Sequence, residues 1–411
     1  MATQLTRNDV RVLDPDTYGN GDPTTFGLPL DQYAYLREHE PVSLHTFEDD
    51  PLLLDRLYVI SRNEDISNID RDEETWSAED VVNFWAFAPI GKKVDAPALL
   101  TQDQKEHADN RKIVSRAFTP KNVKNLEESF RRLAVEVVEA ALAKKEPINF
   151  VQEIAHVMPM EALGQVLGVP KEDRPKFFGW VDTFASPFDP RVSVSFEKVG
   201  EAIQALYQYG IELAELRRKE PGENVMTKIA EADMPDPEVR GNITLLASGA
   251  AESTRTALSH GLHELMRNPE QMAWLRERAD DIPSTAIQEM VRIASPFTHL
   301  CRSAKKDTVL HDVEIKQGDV VAMLFAAGNF DPEAFDDPNT FDLSRDPNPH
   351  LSFGRGPHSC LGKHVAALEM KILMEELLQR TEDIRPAGDI SYVRDAYSRG
   401  VYELPVELIP A

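Results

Sequence analysis

Ten residues, Phe353-Gly-Arg-Gly-Pro-His-Ser-Cys-Leu-Gly362, constrain this chain more than any other stretch. They set a cysteine in a loop punctuated by glycines. The loop runs straight into a segment whose apolar spacing predicts a helix through Gln379. Gly356 and Gly362 permit tight turns and close approach of the backbone to a flat ligand. A helix start just after Cys360 turns free N–H groups and the positive end of the helix dipole toward the sulfur. Both favour the thiolate. Cys360 is therefore a candidate metal ligand. A lone cysteine is commonly an inert buried thiol, but this one is among five defined positions, Phe353, Gly356, His358, Cys360 and Gly362, which argue against that reading.

The pattern Phe-x-x-Gly-x-His-x-Cys-x-Gly resembles the haem-binding loop of the cytochrome P450 family, with every signature position filled. The resemblance runs from about Leu53 to Val406. It implies haem b with a thiolate ligand, Cys360, and Phe353, His358 and Gly362 beside the haem. It also implies a mainly α fold with small β-sheets, the haem lying between a long central helix and the cysteine-loop helix. Residues 1–411 would form one such domain.

Composition agrees. The 411 residues are 42% hydrophobic, enough for a large core. No run of eighteen apolar residues marks a membrane span, and the N-terminus lacks the apolar stretch of a signal peptide. The two cysteines, Cys301 and Cys360, suit a reducing compartment, so a cytoplasmic location is expected. A net charge of −25 argues against nucleic-acid binding. Helical periodicity dominates from about Lys121 to Leu275. Short strands are expected between Leu310 and Leu324, and Val401 to Leu408 reads as an edge strand that tolerates Pro405. Helices and strands do not alternate regularly, which disfavours a doubly wound sheet.

A long helix is expected from an Asp236 N-cap and Pro237 to about Asn268-Pro269. Its middle, Gly249-Ala-Ala-Glu-Ser-Thr254, resembles the family's oxygen-activation segment. Glu252 and Ser253 stand at the positions of the acid and the alcohol that deliver protons. Ala250 replaces the usual second glycine and Ser253 the usual threonine. Taken alone, the segment also reads as a packing stretch with a solvated Glu.

Glu289 and Arg292, on a helix opened by Pro283, share one face at i,i+3. By themselves they are an ordinary surface pair. The resemblance makes them, with Arg345, a buried network that fixes the cysteine loop. It also makes His107, Arg111, Arg302 and His358 contacts of the haem propionates. Substrate contacts implied by the family fall on Phe84, Phe87, Leu246, Gly249, Ala250, Phe297, Thr298 and His299, with Phe184 and Phe188 above them. Plain core is the commoner fate of such aromatics. Arg111, Lys112, Arg116, Lys121 and Lys124 form a basic stretch without an acid. A separate acidic ferredoxin, served by a ferredoxin reductase, would dock there.

The expected activity is a haem-thiolate monooxygenase that uses two external electrons and dioxygen to hydroxylate or oxidatively dealkylate a small hydrophobic molecule. Two alternatives remain open at this point. One is a peroxide-using or non-oxygenating haem-thiolate enzyme, and the other is a non-enzymatic haem ligand sensor.

Overall fold

The computed structural model describes residues 5–47, 55–79, 81, 96–185, 191 and 195–411. Phe84, Phe87 and Phe188 lie outside the described residues.

The Asp236–Arg267 helix spans 32 residues, roughly 48 Å. Seventeen of its residues are buried, so it is a core strut and not a surface helix. Pro235 is its N-cap, with Asp236 and Pro237 in the first turn. The expected Asp cap is thus shifted by one residue, and Asp236 serves the dipole instead. A Cβ on Gly241 would lie 2.3 Å from the Pro97 carbonyl oxygen, so only glycine lets the 96–98 segment cross the helix there.

The helix after the cysteine loop, Lys363–Arg380, ends one residue beyond the expected Gln379. It packs mainly on the Pro120–Ala143 helix. That helix opens with Pro120 at its first position, and Thr119 caps it by accepting from the Asn122 N–H. Between the two, Arg131 donates to Glu375 and Glu376 at 2.7 Å each. The Glu289 helix, Ser284–Ala294, follows Pro283 as expected.

The strands build small sheets beside this bundle. The largest has the order Val42–Thr46, Arg56–Ile60, Val320–Met323, Leu300–Ala304, Trp76–Ser77. Among the described residues, only Arg56–Ile60 and Val320–Met323 pair in parallel. The closing segment departs from the sequence reading. It splits into Val401–Glu403 and Pro405–Pro410, and the second strand lies between Ile148–Asn149 and Thr381–Pro386. It is a central strand, and Pro405 is tolerated because it is the first residue.

One hydrophobic cluster joins the N-terminal segments, the second half of the long helix, the Glu289 helix and the cysteine helix. Another packs the first half of the long helix against Arg174–Ala185, Phe196–Lys219 and Val225–Glu231. A large cavity opens between them. Ala257 and Met370 from the first cluster and Leu163 and Leu167 from the second line it.

Candidate active site

The cysteine loop is shaped by two left-handed glycines. Gly354 and Gly356 take φ of +64° and +61°. A Cβ on Gly356 would lie 2.8 Å from the Asp70 carbonyl oxygen. Gly362 instead has φ −82° and caps the following helix, so the turn expected at Gly362 falls on Gly354. The Cys360 N–H donates to the Phe353 carbonyl at 2.7 Å and closes the loop. Burial pushes the Cys360 thiol up; the N–H groups of Gly362 and Lys363 and the Arg111 charge oppose it. The thiol opens onto the cavity, which holds about 1980 Å³ of space unfilled by protein, part of it open to solvent.

One end of the cavity carries cations and imidazoles. His107 and Arg111 lie on the Gln104–Val114 helix, and both line the cavity with His358. The His107 and His358 rings stack with centroids 4.1 Å apart. The Nε2 atoms of both are buried and make no hydrogen bond among the described residues, and a Glu73 carboxylate oxygen lies 3.5 Å from that of His358. Burial first, then Arg111, lowers His107 to about 4, so both rings can stack as neutral imidazoles. Arg111 donates to the Ser359 carbonyl at 2.7 Å. Arg302 stands behind this wall. It donates to Asp70 at 2.8 Å, and Asp70 is the group that lines the cavity.

The opposite wall comes from the long helix. Leu246, Gly249, Ala250, Glu252 and Ser253 all line the cavity, as does Phe297. The Ser253 hydroxyl donates to the Gly249 carbonyl at 2.6 Å, which fixes a rotamer that serine alone would not hold. Glu252 is buried; Oε2 binds Arg255, and Oε1 has no partner.

Thr298 and His299 are not brought to the cavity. They are fully buried, 2.7 Å apart, and Thr298 donates to the Ala396 carbonyl. Hydrogen bonding decides this: the two side chains bond each other, and the Thr298 backbone and hydroxyl pair with the 396–397 segment. Tyr397 and Ser398 line the cavity instead. They arrive from a segment about a hundred residues downstream that carries no local signal. Glu369, on the cysteine helix, also lines it and was not anticipated. Burial pushes its carboxyl up to about 8.

Glu289, Arg292 and Arg345 do meet. Arg292 grips Glu289 with two nitrogens at 2.8 and 2.7 Å. Arg345 Nε approaches the same carboxylate at 3.3 Å. The remaining Arg292 donors reach the carbonyls of Asn329, Pro338 and Thr340.

A cysteine closing a rigid glycine loop, set in a large cavity with an acid–alcohol pair on a long helix, defines a haem-thiolate site. The cytochrome P450 family model matches residues 213–384. A steroid C26-monooxygenase of Rhodococcus jostii is 31% identical over 96% of this chain and 83% of its own. One from Mycolicibacterium smegmatis is 30% identical over 92% and 90%. Among solved structures, the Mycobacterium marinum cytochrome P450 CYP268A2 in complex with pseudoionone superposes with a TM-score of 0.89, at 30% identity over 99% of this chain and all of that one. The chain belongs to the cytochrome P450 family.

It is a haem-thiolate monooxygenase that acts on hydrophobic substrates with electrons from a redox partner. The residues present fit haem b. The cavity offers a thiol, an apolar wall, and two buried imidazole Nε2 atoms that make no hydrogen bond among the described residues, the Glu73 carboxylate being 3.5 Å from that of His358. No helix among the described residues is long and apolar enough to cross a membrane.

Proposed function

We propose that Cys360 would supply the thiolate ligand of the haem iron and that His107, Arg111 and His358 would hold the haem propionates. The observation that carries this reading is the pair of buried Nε2 atoms, neither hydrogen-bonded among the described residues, at the cationic end of the cavity that Cys360 lines; Glu73 approaches that of His358 only to 3.5 Å. A buried donor left unmade is costly, so these atoms await an acceptor. Arg302, paired with Asp70, stiffens that wall. Phe353 and Gly362 hold the loop's shape. Glu289, Arg292 and Arg345 anchor the loop from behind. The chain serves as a single P450 domain over residues 1–411.

When bound, the haem supplies dioxygen activation, with electron density pushed from the thiolate. The chain's own part is proton management. Glu252 keeps one carboxylate oxygen free at the cavity, and Ser253 sets a hydroxyl beside it. Leu246, Gly249, Ala250 and Phe297 exclude water and receive the substrate. We infer an isoprenoid-derived molecule, a steroid or a linear terpenoid. The wall is apolar, and the names of the relatives and the bound pseudoionone of the Mycobacterium marinum protein belong to that class. The electron donor is a ferredoxin with its reductase. It docks on Lys112, Arg116, Lys121 and Lys124, which are exposed and basic in a chain of net charge −25. A cysteine kept as a thiolate ligand suits the cytoplasm.

The test is the absorption spectrum of the dithionite-reduced protein with carbon monoxide. A strongly red-shifted Soret band is expected, and it should vanish in Cys360→Ala. A band unchanged in that variant removes the assignment.

A further inference from the structure

Glu252 is the inner end of a line of charged side chains that reaches the surface. Arg255, one turn along the same helix, binds its Oε2. Arg255 NH1 lies 3.3 Å from Nδ1 of His156. His156 Nε2 lies 3.5 Å from a carboxylate oxygen of Asp182. Side-chain exposure climbs along the line, from 5% at Glu252 and 15% at Arg255 to 22% at His156 and 46% at Asp182. The inner acid is therefore sealed from solvent, and the outer one is wet. Three elements meet in this line. His156 caps the Val157–Leu167 helix, Asp182 lies on Arg174–Ala185, and the other two lie on the long helix.

The chemistry of the donors fixes the protonation pattern. A guanidinium only donates, so Nδ1 of His156 must accept. The ring proton is then on Nε2, facing Asp182. Burial holds His156 below its ordinary pKa; Asp182 pulls it up, Arg255 down and Glu252 up. A second proton at Nδ1 would set donor against donor and cation against cation. Arg255 Nε has no partner. Among the described residues, the guanidinium is held by His156 on one side and Glu252 on the other. The free Oε1 of Glu252 is confined from behind, since a Cβ on Gly400 would lie 2.8 Å from it.

We propose that His156 is a positioning residue for Glu252. In its neutral form it anchors Arg255, which holds the Glu252 carboxylate with one oxygen free at the cavity; protonation at Nδ1 releases that anchor, and Asp182 on the Nε2 side stabilises the resulting cation. The proposal rests on the proton-delivery reading of Glu252 given above. It makes proton supply to the cavity depend on a surface-facing imidazole, and it assigns Asp182 the task of keeping the Nε2 tautomer.

The primary test needs no substrate. Haem-loaded protein labelled with ¹⁵N-histidine, in its ferrous carbon monoxide form, is titrated by NMR, and the His156 signal is assigned by its loss in His156→Gln. Arg255→Gln should raise the His156 midpoint by about one unit, and Glu252→Gln should lower it. A midpoint that responds to Asp182→Asn alone would overturn the proposal. A second arm follows oxidation of NADPH through a surrogate ferredoxin and its reductase. His156→Phe should slow it severalfold and raise the solvent deuterium isotope effect. His156→Gln, whose amide oxygen still accepts from Arg255, should restore the rate and lose the acid limb of the pH profile. If Glu252→Gln leaves the rate and isotope effect unchanged, the proton-delivery reading fails. If Glu252→Gln slows the reaction and His156→Phe does not, the positioning role alone fails. An unchanged ferrous carbon monoxide spectrum in the His156 variants excludes misfolding.

Discussion

Two Glu-x-x-Arg pairs sit on two helices of this protein with identical spacing, Glu289–Arg292 and Glu252–Arg255. Their fates differ. The Glu289 carboxylate accepts from two Arg292 nitrogens, from Arg345, from the Asn348 amide and from the Asp342 N–H. Arg292 spends its other donors on three carbonyls. No oxygen of Glu289 and no nitrogen of the Arg292 guanidinium is left over. Glu252 has one oxygen on Arg255 and one on nothing, and it faces a cavity. Saturation separates them. A fully paired buried charge locks the segments that pair it. A half-paired charge beside a cavity keeps capacity for chemistry.

The largest expected effect breaks the saturated pair. Arg292→Ala strands Glu289 without its main partner and should cost about 3–5 kcal/mol, read as a shift of the urea unfolding midpoint. Haem content should fall with it, because Asn329 and the 336–345 segment lose their tie to the Glu289 helix. A cost below about 1 kcal/mol would mean that the network is no anchor.

Glu252→Gln is the counterpart. It should lose far less stability than Arg292→Ala and keep the ferrous carbon monoxide spectrum. Substrate turnover should slow by roughly 100-fold. Equal damage to stability at both sites would erase the distinction between them.

Glu369 sharpens the comparison from a third side, as a buried carboxyl with no arginine at all. One of its oxygens has no partner, and its pKa is raised from 4.5 to about 8. The folded chain therefore holds this proton more tightly than the unfolded chain does. Stability from this group is full below pH 4.5 and is lost as pH rises through about 8. Glu369→Gln should flatten that decline and gain on the order of 1–2 kcal/mol at pH 8. Unfolding midpoints of the two proteins across this pH range check it; parallel curves would mean that Glu369 does not titrate in the window.

The smallest effect lies off the cavity. Thr298→Val removes the hydroxyl bound to the Ala396 carbonyl and should cost about 1 kcal/mol of stability. Affinity for an apolar probe ligand, read from the haem spectrum, should not change. A marked loss of affinity would return Thr298 to the pocket.

Much of the site was legible because its signals are local. Glycines that take positive φ, a proline that opens a helix and an acid beside an alcohol are properties of a few consecutive residues. The line Glu252–Arg255–His156–Asp182 was not legible. His156 and Asp182 lie about a hundred and about seventy residues before Arg255, and a lone histidine on an apolar helix start gives no sign of its partner. Arg302 shows the same gap. Its position beside the Glu289 helix was readable, but its pairing with Asp70, 232 residues away, was not.

The sequence by itself determined the thiolate loop, the helix that follows it, the long helix with its acid–alcohol pair and the i,i+3 spacing of Glu289 and Arg292. These depend on backbone conformation and on spacing along one helix, which neighbouring residues dictate. Only the tertiary structure decided which carboxylate is saturated and which is open, that Thr298 and His299 turn into the core, that Tyr397 and Ser398 complete the cavity wall, and that Pro405–Pro410 is a central strand. Each of these is a matter of burial and partner choice. Desolvation and hydrogen-bond pairing are settled between segments that meet only when the chain has folded.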